Sequence, residues 1–133
     1  MRKLIYIFAI AMVMNGCATM SDITMPNREG LLKLSLGMTK EEAINTMPKD
    51  KKTAIPFGQI GSGIAVNNPY RSEILSGKDK NFEVLYYVTD IKSDENVIAD
   101  DELTPLVFDN GKLIGWGWGF LNENIQKYEI RIR

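Results

Sequence analysis

The sequence predicts an α+β domain in which two N-terminal helices pack on one face of a three- to four-stranded antiparallel sheet. The segment from Asn27 to Pro48 carries signals for the start and the end of helices. Most of the chain beyond it consists of short runs of alternating apolar and polar residues, separated by turn residues. Because the helices come first and the strands follow, a segregated α+β arrangement is favoured over an alternating α/β arrangement.

The N-terminus has the layout of an export signal. Two basic residues precede eleven apolar residues, Leu4 to Met14. A helix of that length is too short to cross a hydrocarbon layer about 30 Å thick. Cys17, the only cysteine of the chain, follows the apolar run. Residues 1–16 are therefore predicted to be a lipoprotein signal peptide. An ordinary secretory signal with a spare thiol and an uncleaved anchor are the alternatives.

The residues around Cys17 resemble the lipobox of bacterial lipoproteins. Gly16 and Cys17 match that pattern, whereas Met14 and Asn15 depart from it. The resemblance implies a covalent lipid on Cys17. Ala18, rather than an aspartate, follows the cysteine, which implies transfer to the outer membrane with the domain facing the periplasm. Several acyl chains anchor a protein stably, where one chain binds only marginally. No other cofactor is predicted.

Length and charge predict a single folded domain that does not bind nucleic acid. Residues 17–26 are interpreted as the lipidated N-terminus and a tether, and residues 27–133 as a single domain with a core large enough to fold alone. The formal net charge is −1, and there is no block or stripe of basic residues. Nucleic acid is therefore not an expected partner.

Two helices are predicted before the sheet. Asn27 is interpreted as the N-cap of a short first helix, with Leu31, Leu32 and Leu34 facing inward. Thr39 and Glu42 have the spacing of a capping box for the second helix. Pro48 ends that helix.

The strand predictions differ in clarity. The segment from Lys49 to Asn81 is rich in turns, with a short strand at Ile64–Val66 or at Tyr70–Leu75. The run FEVLYYVTD, which begins at Phe82, alternates as a strand does. An acidic connection, residues 91–102, leads to a hairpin around Asn110-Gly111. The terminal run KYEIRIR predicts a last strand.

The register of the hairpin decides where the aromatic residues of GWGWGF point. A two-residue loop would ask Pro105 to supply an N–H opposite Trp116, which proline lacks. We therefore predict a three-residue loop that pairs Phe108 with Lys112. This register places one set of large residues on one face of the sheet: Leu106, Phe108, Ile114, Trp116 and Trp118. It places the glycines on the other face: Gly115, Gly117 and Gly119.

The tryptophans are interpreted first as core residues, each burying on the order of 200 Å². The alternative is that one of them lies at the sheet edge and anchors another protein or lipid headgroups. The candidate partner-binding residues are therefore Trp116 and Trp118, together with Tyr70 and Arg71 of the NPYR loop. Glycines weaken a strand, so three in alternation predict that something approaches that backbone closely.

Catalytic and metal chemistry find little support in the sequence. The chain contains no histidine, which removes Ser-His-Asp and Cys-His catalysis and nearly all zinc sites. The carboxylates of Asp100, Asp101 and Glu102 are interpreted as a solvated acidic face, with a docking surface for a basic partner as the alternative. The loop from Gly58 to Gly63 lacks the lysine of a phosphate-binding loop and is interpreted as a turn. No catalytic residue and no metal site are predicted.

A family resemblance is carried by Gly37-Met38-Thr39 and by the hairpin sequence VFDNGKLIGW. Together with Cys17, these resemble the SmpA/OmlA (BamE-like) family of small outer-membrane lipoproteins, which includes an accessory subunit of the β-barrel assembly machine. The resemblance implies a helix pair followed by an antiparallel sheet and a structural role for the triplet. Thr46-Met47 depart from the Leu-Gly pair that usually precedes the proline in that family.

The expected function follows from the anchor and from this resemblance. The chain is expected to be a non-catalytic adaptor that contacts outer-membrane or periplasmic proteins, in envelope maintenance or in outer-membrane β-barrel assembly. One alternative is a lipoprotein that binds a small molecule or glycan in a cleft between the helices and the NPYR loop. Another is an inhibitor of a periplasmic enzyme.

Overall fold

The computed structural model describes residues 20–49, 52–54, 64–92 and 97–131. The helices among these residues are α1 (Met20–Leu31), α2 (Lys40–Thr46) and α3 (Trp118–Lys127). A small antiparallel pair consists of β1 (Lys52–Ala54) and β2 (Ile64–Val66). The larger sheet contains β3 (Arg71–Ser76), β4 (Asn81–Val88), β5 (Leu103–Asp109) and β6 (Lys112–Trp116), antiparallel in the order β3-β4-β5-β6. The predicted α+β class is confirmed. The signal peptide, Cys17 and the loop from Gly58 to Gly63 lie outside the described residues.

Strand β4 is buried on both faces of the sheet. One face carries Phe82, Val84, Tyr86 and Val88, and the other carries Leu85 and Tyr87; each of these side chains is at most 2% exposed. An antiparallel strand that faces water on one side alternates apolar and polar residues, whereas β4 is apolar on both sides. The sheet therefore needs an apolar cover on each face.

Different helices supply the two covers. The first apolar cluster joins the Phe82 side of β4 to Ile23 of α1 and Leu121 of α3. The second joins the Leu85 side to Ala43 and other residues of α2. Helix α1 packs on the first cluster through Ile23, and only its last residue, Leu31, packs against the second. The expectation that both N-terminal helices cover one face is therefore wrong. The difference arises because β4 is apolar on both faces, so each face needs a cover. Helix α3, which the alternating pattern of GWGWGF did not predict, shares the first face with α1.

Helix α1 begins at Met20, so the segment interpreted as a tether is helical from that residue onward. Asn27 lies within the helix, fully buried, and is not its N-cap. Its side-chain amide donates to the backbone carbonyl of Val88 at 2.7 Å and to the Asn68 side chain at 3.1 Å. These bonds hold α1 against the end of β4. Of the three leucines predicted to face inward, Leu31 and Leu34 pack in the second cluster, whereas Leu32 is 87% exposed.

Helix α2 begins and ends as predicted. Thr39 is the N-cap, and its reciprocal hydrogen bonds with Glu42 form the capping box. The helix ends at Thr46, before Pro48. Just ahead of it, the Gly37 N–H donates to the Leu113 carbonyl, and the Leu113 N–H donates to the Met38 carbonyl, both at 2.8 Å. The Gly-Met-Thr triplet therefore ties the entry of α2 to β6.

The hairpin between β5 and β6 has a two-residue loop. Asn110 and Gly111 have φ values of 50° and 74°, as a type I′ turn requires, and Asp109 pairs with Lys112. The predicted three-residue loop is therefore wrong. Type I′ turns follow the twist of the flanking strands, which explains why Asn-Gly adopts one here.

A β-bulge makes the two-residue loop compatible with Pro105, which has no N–H to donate. The register shifts by one residue at Ile114, so that Leu106 lies opposite Trp116. Pro105 then only accepts a bond, from the Gly117 N–H at 2.8 Å. Leu106 and Trp116 lie in the second cluster with Phe108, as the predicted grouping required, but Ile114 and Trp118 belong to the first cluster.

The three glycines of GWGWGF do not form one face of a strand. β6 ends at Trp116, and Gly117, with a φ of 90°, is the N-cap of α3. The predicted close approach occurs at Gly115, where the ring of Phe120 lies 2.7 Å from the position that a Cβ would occupy. Gly119 lies in α3, and a Cβ there would meet open space.

The chain does not end in the predicted strand over its described residues. Tyr128 is the C-cap of α3, and Glu129 has a φ of 49°. This turn brings Ile130, 7% exposed, into the first cluster. Both of the short strands offered as alternatives at residues 64–66 and 70–75 are present, as β2 and β3.

We predict that Gly115→Ala lowers the free energy of unfolding by about 1–3 kcal/mol, because the added methyl forces the Phe120 ring out of its position. Gly119→Ala is the matched control. It should raise stability by about 0.5–1 kcal/mol, since the methyl is unobstructed and alanine favours the helix. Urea unfolding measures both values. Equal stability of Gly115→Ala and wild type would contradict the packing described.

Candidate partner-binding site

Three of the four candidate partner-binding residues meet around Tyr86 of β4. The Arg71 guanidinium lies 4.3 Å from the centroid of the Tyr86 ring. The Trp118 ring lies 5.7 Å from the same ring, tilted by 39°. The Tyr70 N–H donates to the Tyr86 carbonyl at 2.8 Å. The cross-strand pairing of Arg71 with Tyr86 creates this arrangement. We call the group the Tyr86 site; its members are Tyr70, Arg71, Glu73, Tyr86, Asp100 and Trp118.

Polar contacts fix the orientation of Arg71. Its guanidinium forms an ion pair with Asp100 at 3.1 Å. Partial burial opposes the charge of Arg71, but its contacts with Tyr86, Asp100 and Glu73 outweigh that effect and raise the guanidinium pKa. The cation is therefore held over an aromatic face, an arrangement that is itself attractive.

Tyr86 connects the core to this surface. Its ring is buried, and its hydroxyl donates a hydrogen bond to the Glu73 carboxylate. Burial raises the pKa of the Tyr86 phenol, and the bond and charge of Glu73 raise it further. The phenol consequently remains a neutral donor at physiological pH, and Glu73 remains paired.

Trp118 is held at the start of α3. Its indole N–H donates to the Leu103 carbonyl at 2.8 Å, which joins the helix to the first residue of β5. The indole is half-buried, so its apolar body lies against the first cluster while part of it faces solvent. This is the kind of setting in which tryptophan serves both packing and recognition.

Trp116 is not part of the Tyr86 site. It lies opposite Leu106 and packs, half-buried, in the second cluster. The alternating pattern had placed the two tryptophans on one face. They diverge because the strand ends at Trp116 and the chain turns at Gly117 into a helix.

The acidic segment before β5 is paired rather than simply solvated. Glu102 is 1% exposed, and its carboxylate accepts backbone N–H bonds from Ala99 at 2.7 Å and from Lys92. Asp100 pairs with Arg71, and Asp101 pairs with Lys92 at 3.0 Å. The interpretation as a solvated acidic face is wrong for Glu102, which closes the loop between β4 and β5. A carboxylate that satisfies buried backbone donors cannot be distinguished from a surface acid by composition.

Two open depressions lie elsewhere on the surface. One, of about 770 Å³, runs along β3 from Glu73 to Lys78 beside Arg131. The other, of about 550 Å³, lies around Lys80 and the hairpin turn. Neither is lined by the helices or by the NPYR residues, where the ligand-binding alternative had placed a cleft. Among the described residues, no group of three or more potential metal ligands comes together, and no helix has the length and apolar character to span a membrane.

Comparison with protein-family models identifies the family of this chain. A family model described as "Protein of unknown function (DUF3192)" matches residues 15–123, which is more than half of the chain. The chain belongs to the DUF3192 family. No curated protein and no solved structure matches it. The DUF3192 match includes Cys17 and every residue of the Tyr86 site.

The buried tyrosines give a prediction on alkaline stability. Burial raises the pKa of Tyr87 from 10.0 to about 12, and the pKa of Tyr86 is also raised. Since the folded state holds these protons more tightly, their contribution to stability is fully present below pH 10 and is lost as pH rises through about 12. Tyr87→Phe should therefore lose less stability than wild type between pH 10 and 12.

Denaturant unfolding across that pH range measures the difference. Tyr70→Phe is the control, because Tyr70 is only half-buried at the surface. Parallel pH dependence of wild type and Tyr87→Phe would contradict the burial of this phenol.

Proposed function

We propose that this DUF3192 protein is a lipid-anchored, non-catalytic adaptor of the bacterial outer membrane. It faces the periplasm and contacts envelope proteins, in envelope maintenance or in outer-membrane β-barrel assembly. The observation that carries the proposal is the Tyr86 site, in which an arginine and two aromatic residues reach the surface from positions held by the sheet.

The composition of the site supports a protein partner. Tyrosine, tryptophan and arginine are the residues most enriched among those that dominate binding energy at interfaces. Arg71 and Trp118 are each held by a defined contact, to Asp100 and to Leu103. Side chains that are already ordered lose less entropy on binding, which favours affinity.

The short stretch of chain between Cys17 and α1 supports a location of the domain at the membrane. Helix α1 starts three residues after Cys17, and three residues of chain span at most about 11 Å. A lipid on Cys17 would hold the domain close to the bilayer. The resemblance to SmpA/OmlA lipoproteins supports the same location, because that family consists of outer-membrane lipoproteins. The Gly37-Met38-Thr39 triplet, which carries the resemblance, is bonded to β6 of the hairpin.

Metabolic labelling tests the anchor. Wild-type protein produced in a bacterium that processes lipoproteins should incorporate clickable palmitate, and Cys17→Ser should abolish the incorporation. A Cys17→Ser, Ser72→Cys double variant is the matched control, because it restores a thiol at an exposed position without the signal context. Labelling of Cys17→Ser at the wild-type level would refute the proposed anchor.

Cross-linking in cells tests the binding surface. A photoreactive phenylalanine analogue at position 70 or 118 should give discrete covalent adducts with envelope proteins. The same analogue at Ile74 should give no such adducts, because Ile74 is exposed on edge strand β3 but lies outside the Tyr86 site. In an isolated complex, Arg71→Ala should weaken binding at least about tenfold, because truncating a hot-spot residue costs about 2 kcal/mol or more. Equal adducts from all three positions, or none from 70 and 118, would count against the site.

A further inference from the structure

Of the five large apolar side chains that are exposed among the described residues, three lie in one segment of the chain, and the other two are Ile74 and Val97. Among the described residues, the large apolar side chains of Met25, Leu32 and Leu36 are 50%, 87% and 67% exposed. Met25 lies in α1, and Leu32 is the residue that directly follows the end of that helix at Leu31. Leu36 lies in the turn that follows. Single exposed apolar residues are ordinary, but three within twelve residues form a group.

The opposite side of α1 is occupied by the sheet. Ile23 is 2% exposed in the first cluster, and Asn27 is fully buried against the end of β4. The orientation of the helix is therefore set by the core. Met25 lies on its outer side, away from the sheet, and the exposed Leu32 follows its last residue.

The position of the helix identifies what covers that outer side. Met20, where α1 begins, is three residues from Cys17. With Cys17 acylated, the start of α1 lies within about 11 Å of the lipid attachment point. Because α1 rises about 1.5 Å per residue, its whole length is about 18 Å, which keeps Leu32 near the same surface if the helix lies flat.

The charges on this side carry no positive excess. Asp22, Glu29 and Lys33 are exposed. Arg28 is also exposed, but its guanidinium donates to the Thr89 carbonyl at 2.6 Å and pairs with Asp90 at 3.6 Å, so its charge is balanced there. Such a surface has no net attraction for anionic lipid. Contact with a bilayer would therefore rest on the apolar side chains, in the manner of interfacial amphipathic helices.

We propose that the outer side of α1 and the turn after it, marked by Met25, Leu32 and Leu36, is the membrane-contact surface of the domain. The bilayer that holds the Cys17 lipid covers it, and the apolar side chains enter the headgroup region. This inference rests on the proposed lipidation of Cys17. It goes further by stating which side of the domain faces the membrane.

Site-directed spin labelling of the lipidated, full-length mature protein tests the surface. Cysteines at positions 32, 36 and, as the control, 74 are labelled one at a time with a nitroxide; acylated Cys17 does not react. Ile74 is also an exposed aliphatic residue, at 70%, but it lies on edge strand β3. The protein is bound to vesicles of zwitterionic phosphatidylcholine. The ratio of oxygen to nickel-chelate collision rates reports immersion.

The ratio at positions 32 and 36 should be several-fold higher than at 74, and it should not change when anionic phosphatidylglycerol is added. If the protein floats with vesicles but the collision-rate ratios at positions 32 and 36 equal the ratio at 74, the membrane-contact surface is overturned while the anchor stays intact. A wild-type protein that fails to float with vesicles would overturn the anchor and this inference with it. Immersion only in anionic vesicles would replace an apolar contact by an electrostatic one and so overturn the inference.

Discussion

Burial of β4 on both faces is the constraint from which the rest of this structure follows. Leu85 and Tyr87 require cover on the side opposite Val84 and Tyr86, and all four are at most 2% exposed. Helix α2 supplies one cover, and α3 with the start of α1 supplies the other. The connections obey the same demand: Asn27 attaches α1 to the end of β4, where its buried amide satisfies the Val88 carbonyl.

The same strand gives the candidate site its rigidity. Tyr86 is a core residue whose hydroxyl reaches Glu73 at the rim, so the site has its foundation in the most buried part of the sheet. Arg71 is placed over that ring by strand pairing, and Trp118 is placed beside it by the bond to Leu103. An adaptor benefits from such a surface because the entropy cost of ordering side chains is met during folding rather than during binding.

Local signals in the sequence predicted part of this fold. The capping box at Thr39 and the turn at Asn110-Gly111 were identified, since each depends on only a few adjacent residues. Helix α3 was missed because alternation in GWGWGF obscured the helical spacing that begins there. Four residues of the first cluster have helical spacing there, namely Trp118, Leu121, Ile125 and the C-cap Tyr128; Phe120 also packs against this cluster.

The members of the site were easier to predict than its centre. Tyr70, Arg71 and Trp118 were named as candidates from residue type and loop position, but Tyr86 was assigned only to a strand face. Its role depends on the pairing of Arg71 with Tyr86 across β3 and β4, and cross-strand register is not carried by either strand alone. The β-bulge at Ile114, which places Trp116 opposite Leu106, is a register effect of the same kind.

We expect the Tyr86 site to be ordered already in the free protein. Nitrogen-15 relaxation of the Trp118 indole N–H tests this directly, because that group makes the bond to Leu103. We expect an order parameter of about 0.85, similar to that of the rigid backbone. A value below about 0.6 would mean that the indole is mobile, and a preformed binding surface would be contradicted.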